Sequence, residues 1–254
     1  MGLADLHIHT TYSWDGTCTV SAVLKQAADQ TDLDVIAITD HDEIQGALDA
    51  IELAPAYGLN VIPGSEVSTA EGHLLTLFIH KRIPAGLSLI ETVKKAGEQG
   101  GICIAAHPMA PGTSSLKPDA IRKALADPEI ARILVGIEAF NAGLFYGNSN
   151  QAAYDFARTL PVALVGNSDA HYAGGIGQGA SRFNGRTALD LRRALETRST
   201  EIVRVRQSTP SMFFRELAPR IILRKLGWVF WNPGPEYPLK IARARRVMLP
   251  NPAK

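Results

Sequence analysis

Over the first 206 residues, short continuous apolar runs alternate with stretches of helical periodicity, and each run ends in polar or charged side chains. The runs fall at 3–8, 35–39, 61–62, 74–79, 101–106, 133–137 and 162–165, with a late one at 202–205. Between them, Val20, Val23, Leu24 and Ala27 make one helical face, and Ala120, Ile121, Ala124 and Leu125 another. Thr19 is placed to cap the first of these helices, and Pro118 or Asp119 to begin the other. Apolar strands without polar alternation, separated by helices, imply a parallel sheet covered on both faces. The pattern alone fits either a closed barrel or an open doubly wound sheet. At 254 residues the chain suits one large α/β domain.

Composition changes near residue 207. From there to the end the chain holds nine Lys/Arg and two Glu, a charge of +7, so a total of +1 leaves −6 on the first 206 residues. The same stretch carries Trp228, Trp231 and seven prolines. It reads as a C-terminal extension of residues 207–254. In the simpler view its aromatic residues pack on the barrel and its charges are solvated. Alternatively, Arg215, Arg220, Arg224 and Lys225, among Phe213, Phe214, Ile221 and Ile222, form a basic amphipathic surface for anionic lipid, nucleic acid or an acidic partner. Only Cys18 and Cys103 are present, which fits a reducing compartment such as the cytoplasm and no disulfide framework. The start MGLADLHIHT has no basic segment followed by an apolar one, so no secretory signal is expected, and Leu6 stands where a myristoylation motif wants Ser or Thr. No apolar run is long enough to span a membrane.

The chemistry lies in the residues that end the apolar runs. Of seven histidines, His7, His9, His41, His73, His107 and His171 stand at run ends or beside acidic residues or proline, while His80 sits next to Lys81 and Arg82 and reads as a surface residue. In a parallel α/β barrel the strand ends share one mouth. Six imidazoles gathered there repel one another as cations, and as buried neutral rings each needs a partner. Divalent cations resolve both problems, because neutral imidazole and carboxylate are their natural ligands. Strand alternation puts His7 and His9 on one face about 6.6 Å apart, with Asp5 on the same face to orient a ligand. Glu66 supplies a carboxylate able to bridge two metals.

Taken in order, these residues resemble the PHP (polymerase and histidinol phosphatase) family. The matching motifs are Asp5-Leu6-His7-Ile8-His9-Thr10, Ile38-Thr39-Asp40-His41-Asp42 and Gly64-Ser65-Glu66-Val67-Ser68, then His73, Ala106-His107-Pro108, and Gly166-Asn167-Ser168-Asp169-Ala170-His171. The resemblance spans roughly residues 3–180. It implies a distorted (β/α)7 barrel with two or three divalent ions (Zn, Mn or Fe) at the C-terminal ends of the strands, hydrolysing phosphate esters. By position, His7, His9, Glu66 and Asp169 hold one metal. Glu66, His73 and His107 hold a second, and Asp15, His41 and His171 a third. The Ser13-Trp14-Asp15-Gly16 stretch carries one residue more than the family's common Ser-Asp-Gly form.

Such ions lower the pKa of a bridging water and neutralise charge on the phosphoryl oxygens. Asp40, behind the ligands, and His41 and His171, as proton donors to the leaving group, are the candidate catalytic side chains. The glycine-bearing segment 173–179 lacks dinucleotide-binding spacing and reads as an active-site loop. Arg182 and Arg186 beyond it are candidates to bind a substrate phosphate. The expected substrate is a small phosphorylated molecule: a nucleotide, sugar phosphate or amino-acid phosphate. Exonuclease-type cleavage of nucleic acid, C–N bond hydrolysis and a non-catalytic metal-binding regulatory module are the alternatives. The acidic first 206 residues argue against a long nucleic-acid track.

Overall fold

Strands form where the apolar runs lie, and their pairing brings the polar run ends together. The computed structural model describes residues 1–243 apart from 112, 113, 145 and 233; Arg245, Arg246 and Lys254 of the basic stretch lie outside the described residues. The main sheet contains β1 (Gly2–Ile8), β2 (Val35–Ile38), β3 (Asn60–Ser68), β4 (His73–Leu77), β5 (Ile102–Ala105), β6 (Leu134–Asn141), β7 (Ala163–Asn167), β8 (Gly179–Phe183) and β9 (Glu201–Arg204). Their order is β7-β6-β5-β4-β3-β2-β1-β8-β9. The ends curl towards each other: Ser181 Oγ of β8 bonds to Gly166 N and O of β7, and Thr200 Oγ1 donates to the Leu164 carbonyl. The result is a nearly closed, distorted barrel.

Two departures from a regular (β/α)7 pattern matter for the site. β4 runs antiparallel to both β3 and β5, so its first residue, rather than its last, reaches the mouth. β8, absent from the apolar-run pattern, descends antiparallel to β1 and ends at the base. The segment 173–179 expected as a loop is a 3-10 turn (Ala173–Gly175) leading into this strand.

Helices α1 (Val20–Gln30), α2 (Gln45–Leu53), α3 (Leu89–Glu98), α4 (Pro118–Leu125), α5 (Pro128–Ile133) and α6 (Gly147–Ala157) accompany the strands. Thr19 caps α1 by accepting from Ala22 N, and Pro118 opens α4. The outer core packs Val23, Leu24 and Ala27 against Ile36 and Ile38. A second cluster fills the barrel with Ala4, Leu6, Val35, Ala37, Ile62 and Val165, and α7 (Ala188–Glu196) adds Leu191 and Leu195 from the base. The β1 register shifts between Asp5 and Ile8, so Leu6 joins the inner cluster and Ile8 the outer one. The shift breaks strict alternation just before the histidines.

The residues after 207 return to the mouth. α8 (Pro210–Met212), a π-helical turn (Phe213–Leu217) and α9 (Ala218–Lys225) lead into a hairpin of β10 (Trp228–Trp231) and β11 (Lys240–Arg243). Pro219 has no N–H to offer the carbonyl four residues back, and the helix widens to π geometry just before it. Phe230 exchanges backbone bonds with Thr17 and Thr19. Arg224 donates to the carbonyls of Thr11 (3.0 Å), Ser13 (2.6 Å) and Trp14 (3.3 Å). No described helix is long and apolar enough to cross a membrane.

Candidate metal centre

The donors arrive from six different strands. His7 and His9 come from the end of β1, His41 follows β2, Glu66 lies in β3, His73 opens the reversed β4, His107 follows β5, and Asp169 and His171 follow β7. His107 (φ 26°) and Asp169 (φ 53°) hold left-handed backbone conformations that ordinary residues avoid, a strain that the surrounding bonds must support.

The three expected sets do come together. His7 Nε2 and His9 Nε2 lie 3.1 and 3.4 Å from Glu66 Oε2, and 3.4 and 3.3 Å from Asp169 Oδ1. The other Glu66 oxygen, Oε1, is 2.9 Å from His73 Nδ1 and 2.8 Å from His107 Nε2. Asp15 Oδ2 is 3.1 Å from His171 Nε2 and 3.5 Å from His41 Nε2, and His41 Nδ1 reaches back to Glu66 Oε2 at 3.1 Å. The extra residue before Asp15 is accommodated by turning Trp14 outwards: it is 77% exposed and stacks on His41.

The other singled-out residues lie away from the cluster. Asp40 is buried, and its oxygens accept from Thr10 N, Thr10 Oγ1 and Ser13 N, so it positions the loop that carries Asp15 and does not face the cluster. Asp5 accepts from the Ser168 and Gly177 amides and orients backbone rather than an imidazole. Arg182 and Arg186 stand at the opposite end of the barrel. Arg182 is registered against Leu3 and pairs with Glu201, and Arg186 pairs with Asp34 ahead of β2. Because β8 runs downward, residues just past the glycine segment are carried away from the mouth. His80 is exposed, as its charged neighbours suggested.

Glu138 of β6 is the site residue that sequence reasoning missed. Fully buried, it accepts from His7 Nδ1 (3.0 Å), Asn167 Nδ2 (2.8 Å), His107 N (2.7 Å) and Asn141 Nδ2 (2.9 Å). A carboxylate directly after the run 133–137 was the available signal. Asn141 also donates to Asp169, and the Tyr146 ring stacks on His107 with centroids 4.5 Å apart.

Burial would raise the carboxyls, but the surrounding imidazoles hold Glu66 and Asp169 well below the usual carboxylate range, and His171 and His41 do the same for Asp15. In turn, against their own desolvation, Glu66 and Asp15 lift His41 to about 9, and Asp15 and Asp169 lift His171 to about 9. His9, buried beside His171, falls to about 4. Without metal, the carboxylates therefore hold protons on several of the rings.

The donor set fits divalent ions. His7 Nε2, His9 Nε2 and Asp15 Oδ1 are buried without a hydrogen-bond partner among the described residues, although carboxylates lie within 3.4 Å of both imidazole nitrogens. Separations near 3.3 Å are the edges of a tetrahedron with arms of about 2.05 Å, the metal–nitrogen length. Four groupings bring potential ligand atoms within 4.8 Å of one another, and they share His7, His9, His41 and Glu66. The cluster opens into a cavity of about 600 Å³ whose far wall comes from residues 208–221.

Two family models match this chain: the PHP domain over residues 5–99 and a PHP-associated segment over residues 147–200. An uncharacterized protein of Methanocaldococcus jannaschii is 41% identical over 149 residues, covering 55% of this chain and 81% of that protein. The chain belongs to the PHP family. A 5'-3' exoribonuclease of Haemophilus influenzae is 32% identical to this PHP protein over 188 residues, 68% of this chain and 66% of that one. In fold it resembles a two-domain protein from Bacteroides vulgatus containing a predicted PHP-like metal-dependent phosphoesterase, with a TM-score of 0.63, 22% identity, and coverage of 80% of this chain and 64% of that one. The chain thus spans about two-thirds of both proteins. Its architecture is that of the family's metal-dependent phosphoesterases.

Proposed function

We propose that this PHP protein hydrolyses a small phosphate ester with two or three divalent ions (Zn, Mn or Fe). The observation that carries the reading is Glu66, whose two oxygens face separate groups of histidines at 2.8–3.4 Å. Glu66 would bridge one site of His7, His9 and Asp169 and another of His73 and His107, with Asp15, His41 and His171 as a third. Divalent ions bound there supply a nucleophilic water at neutral pH and neutralise charge on the phosphoryl group.

The chain's own residues prepare the donors. Glu138 accepts from His7 Nδ1–H, and the Asp169 carbonyl accepts from His171 Nδ1–H, which leaves both Nε2 lone pairs facing the cluster. In hydrolysis, water oxygen bonds to phosphorus, the ester P–O bond breaks, and the alcohol leaves with a proton. With only the two Glu66 sites filled, His41 and His171, on the solvent side of the cluster and free of metal, would give that proton. The unpaired, buried Cys18 and Cys103 support a reducing compartment such as the cytoplasm. The exoribonuclease relative supports a second reading, cleavage of a nucleic-acid phosphodiester.

The test couples metal analysis of freshly purified protein to phosphate release from mono- and diesters. Two or three metals per chain, with turnover lost in Glu66→Ala and Asp169→Ala, is the expected result. Metal without turnover on any ester would leave C–N hydrolysis or a regulatory role. A protein that binds no metal under any condition would refute the reading.

A further inference from the structure

The wall facing the metal donors comes from the most basic part of the chain, yet it presents no cation to the cavity. Met212, Phe213, Leu217 and Ile221 line it, with Tyr146 and Trp14 at the flanks, and among the described lining residues there is neither Lys nor Arg. Of the arginines in the same helical segment, Arg215 is exposed and outside the lining, and Arg220 and Arg224 are engaged elsewhere. The Arg220 guanidinium lies over the rings of Tyr172 and Phe230, at 5.4 and 5.0 Å from their centroids. Arg224 is committed to the three carbonyls of the Asp15 loop. Asp42, also at the lining, adds a carboxylate, and it already accepts from the Ser68 amide and hydroxyl.

These placements divide the cavity into two chemistries. At the donor cluster, metal charge offsets one phosphoryl group. Away from it, a second phosphate would enter an apolar wall beside an anion, with no cation among the described lining residues to compensate its lost hydration; the nearby exposed Arg82 is outside the lining and is turned to the Asp42 carbonyl. A nucleic-acid backbone meets the same obstacle at every further phosphate. An uncharged ring, in contrast, gains by leaving water against Phe213, Met212 and Ile221. A volume of about 600 Å³ accommodates a phosphoryl group with a body of one or two fused rings.

We infer that the substrate is a phosphate monoester with a single phosphoryl group on an apolar, ring-sized alcohol, seated against the wall made by Met212, Phe213, Leu217 and Ile221. The inference rests on the phosphoesterase reading above and narrows it.

The experiment measures kcat and KM of the metal-loaded full-length protein on 2-naphthylmethyl phosphate, ethyl phosphate and adenosine 3',5'-bisphosphate. The first two release alkoxides of similar basicity, so their difference reports binding of the body. The expected result is a kcat/KM about tenfold or more higher for the naphthylmethyl ester than for ethyl phosphate, carried mainly by KM, with the bisphosphate poorest. In Phe213→Ala the advantage of the naphthylmethyl ester over ethyl phosphate shrinks. If that variant fails to fold, the wild-type comparison decides alone. Equal use of the naphthylmethyl and ethyl esters, or preference for the bisphosphate, overturns the apolar-body inference and leaves the phosphoesterase reading intact. No hydrolysis of any of the three or of a wider ester panel overturns both.

Discussion

Replacing Glu138 by Gln tests whether the residues behind the donors set metal affinity. The change keeps shape and volume but exchanges one acceptor oxygen for an NH2 group. Each Glu138 oxygen now takes two hydrogen bonds: His7 Nδ1 and Asn167 on one, His107 N and Asn141 on the other. With the amide nitrogen on the first side, His7 Nδ1 must accept, which moves the ring proton to Nε2, the atom that faces Glu66 and Asp169. On the second side it faces two donors and satisfies neither. A buried donor left unpaired costs about 1–3 kcal/mol, so two cost at least ~2 kcal/mol, a fall in Tm of about 4–8 °C for a domain of this size. Loss of such a supporting partner typically weakens metal binding about 10- to 100-fold. Chelator competition gives the affinity and calorimetry of metal-free protein gives the stability, with Glu129→Gln on the exposed face of α5 as control. A Glu138→Gln protein with metal affinity within about twofold of wild type would show that Glu138 does not orient the donors.

Further outcomes follow from the same geometry. Metal uptake releases protons: His41 and His171 sit at about 9 in the metal-free fold, so they are charged at pH 7 and must be neutral as ligands, and affinity should climb as pH rises from 7 to 9. Titration in weakly buffered solution reads the protons directly, and uptake without release would contradict the assignment. Arg224→Met removes the donor shared by the Thr11, Ser13 and Trp14 carbonyls, and the site at Asp15 is expected to lose affinity while the Glu66 sites keep theirs. Metal titration resolves the two classes. Arg182→Ala, exposed at the far end of the barrel, should leave kcat, KM and stability unchanged within about 0.5 kcal/mol.

His73 opens its apolar run and Asp15 adjoins none, but most candidate donors were legible because they follow an apolar run, and strand pairing turns that one-dimensional position into a shared mouth. His7, His9, Glu66, His107 and Asp169 needed little more than this. Asp40 occurs in the same kind of motif, but its sequence neighbours do not reveal that Thr10 and Ser13, 30 and 27 residues earlier, take both its oxygens. Glu138 lay in a strand that continues four residues past its apolar run, 133–137, where a buried carboxylate gives no apolar signal. Arg182 and Arg186 were misplaced because β8, Gly179–Phe183, is short, half polar and lacks a continuous apolar signature. The reversed direction of β4 was invisible because an apolar run reads the same in either direction along a strand.

All nine candidate ligands lie before residue 172, and the apolar wall that faces them begins at Ser208. During synthesis the charged half of the cleft is therefore complete in the chain before any part of its facing wall exists. Reactivity and choice of substrate are written in separate stretches, and the second can change without altering a single donor in the first.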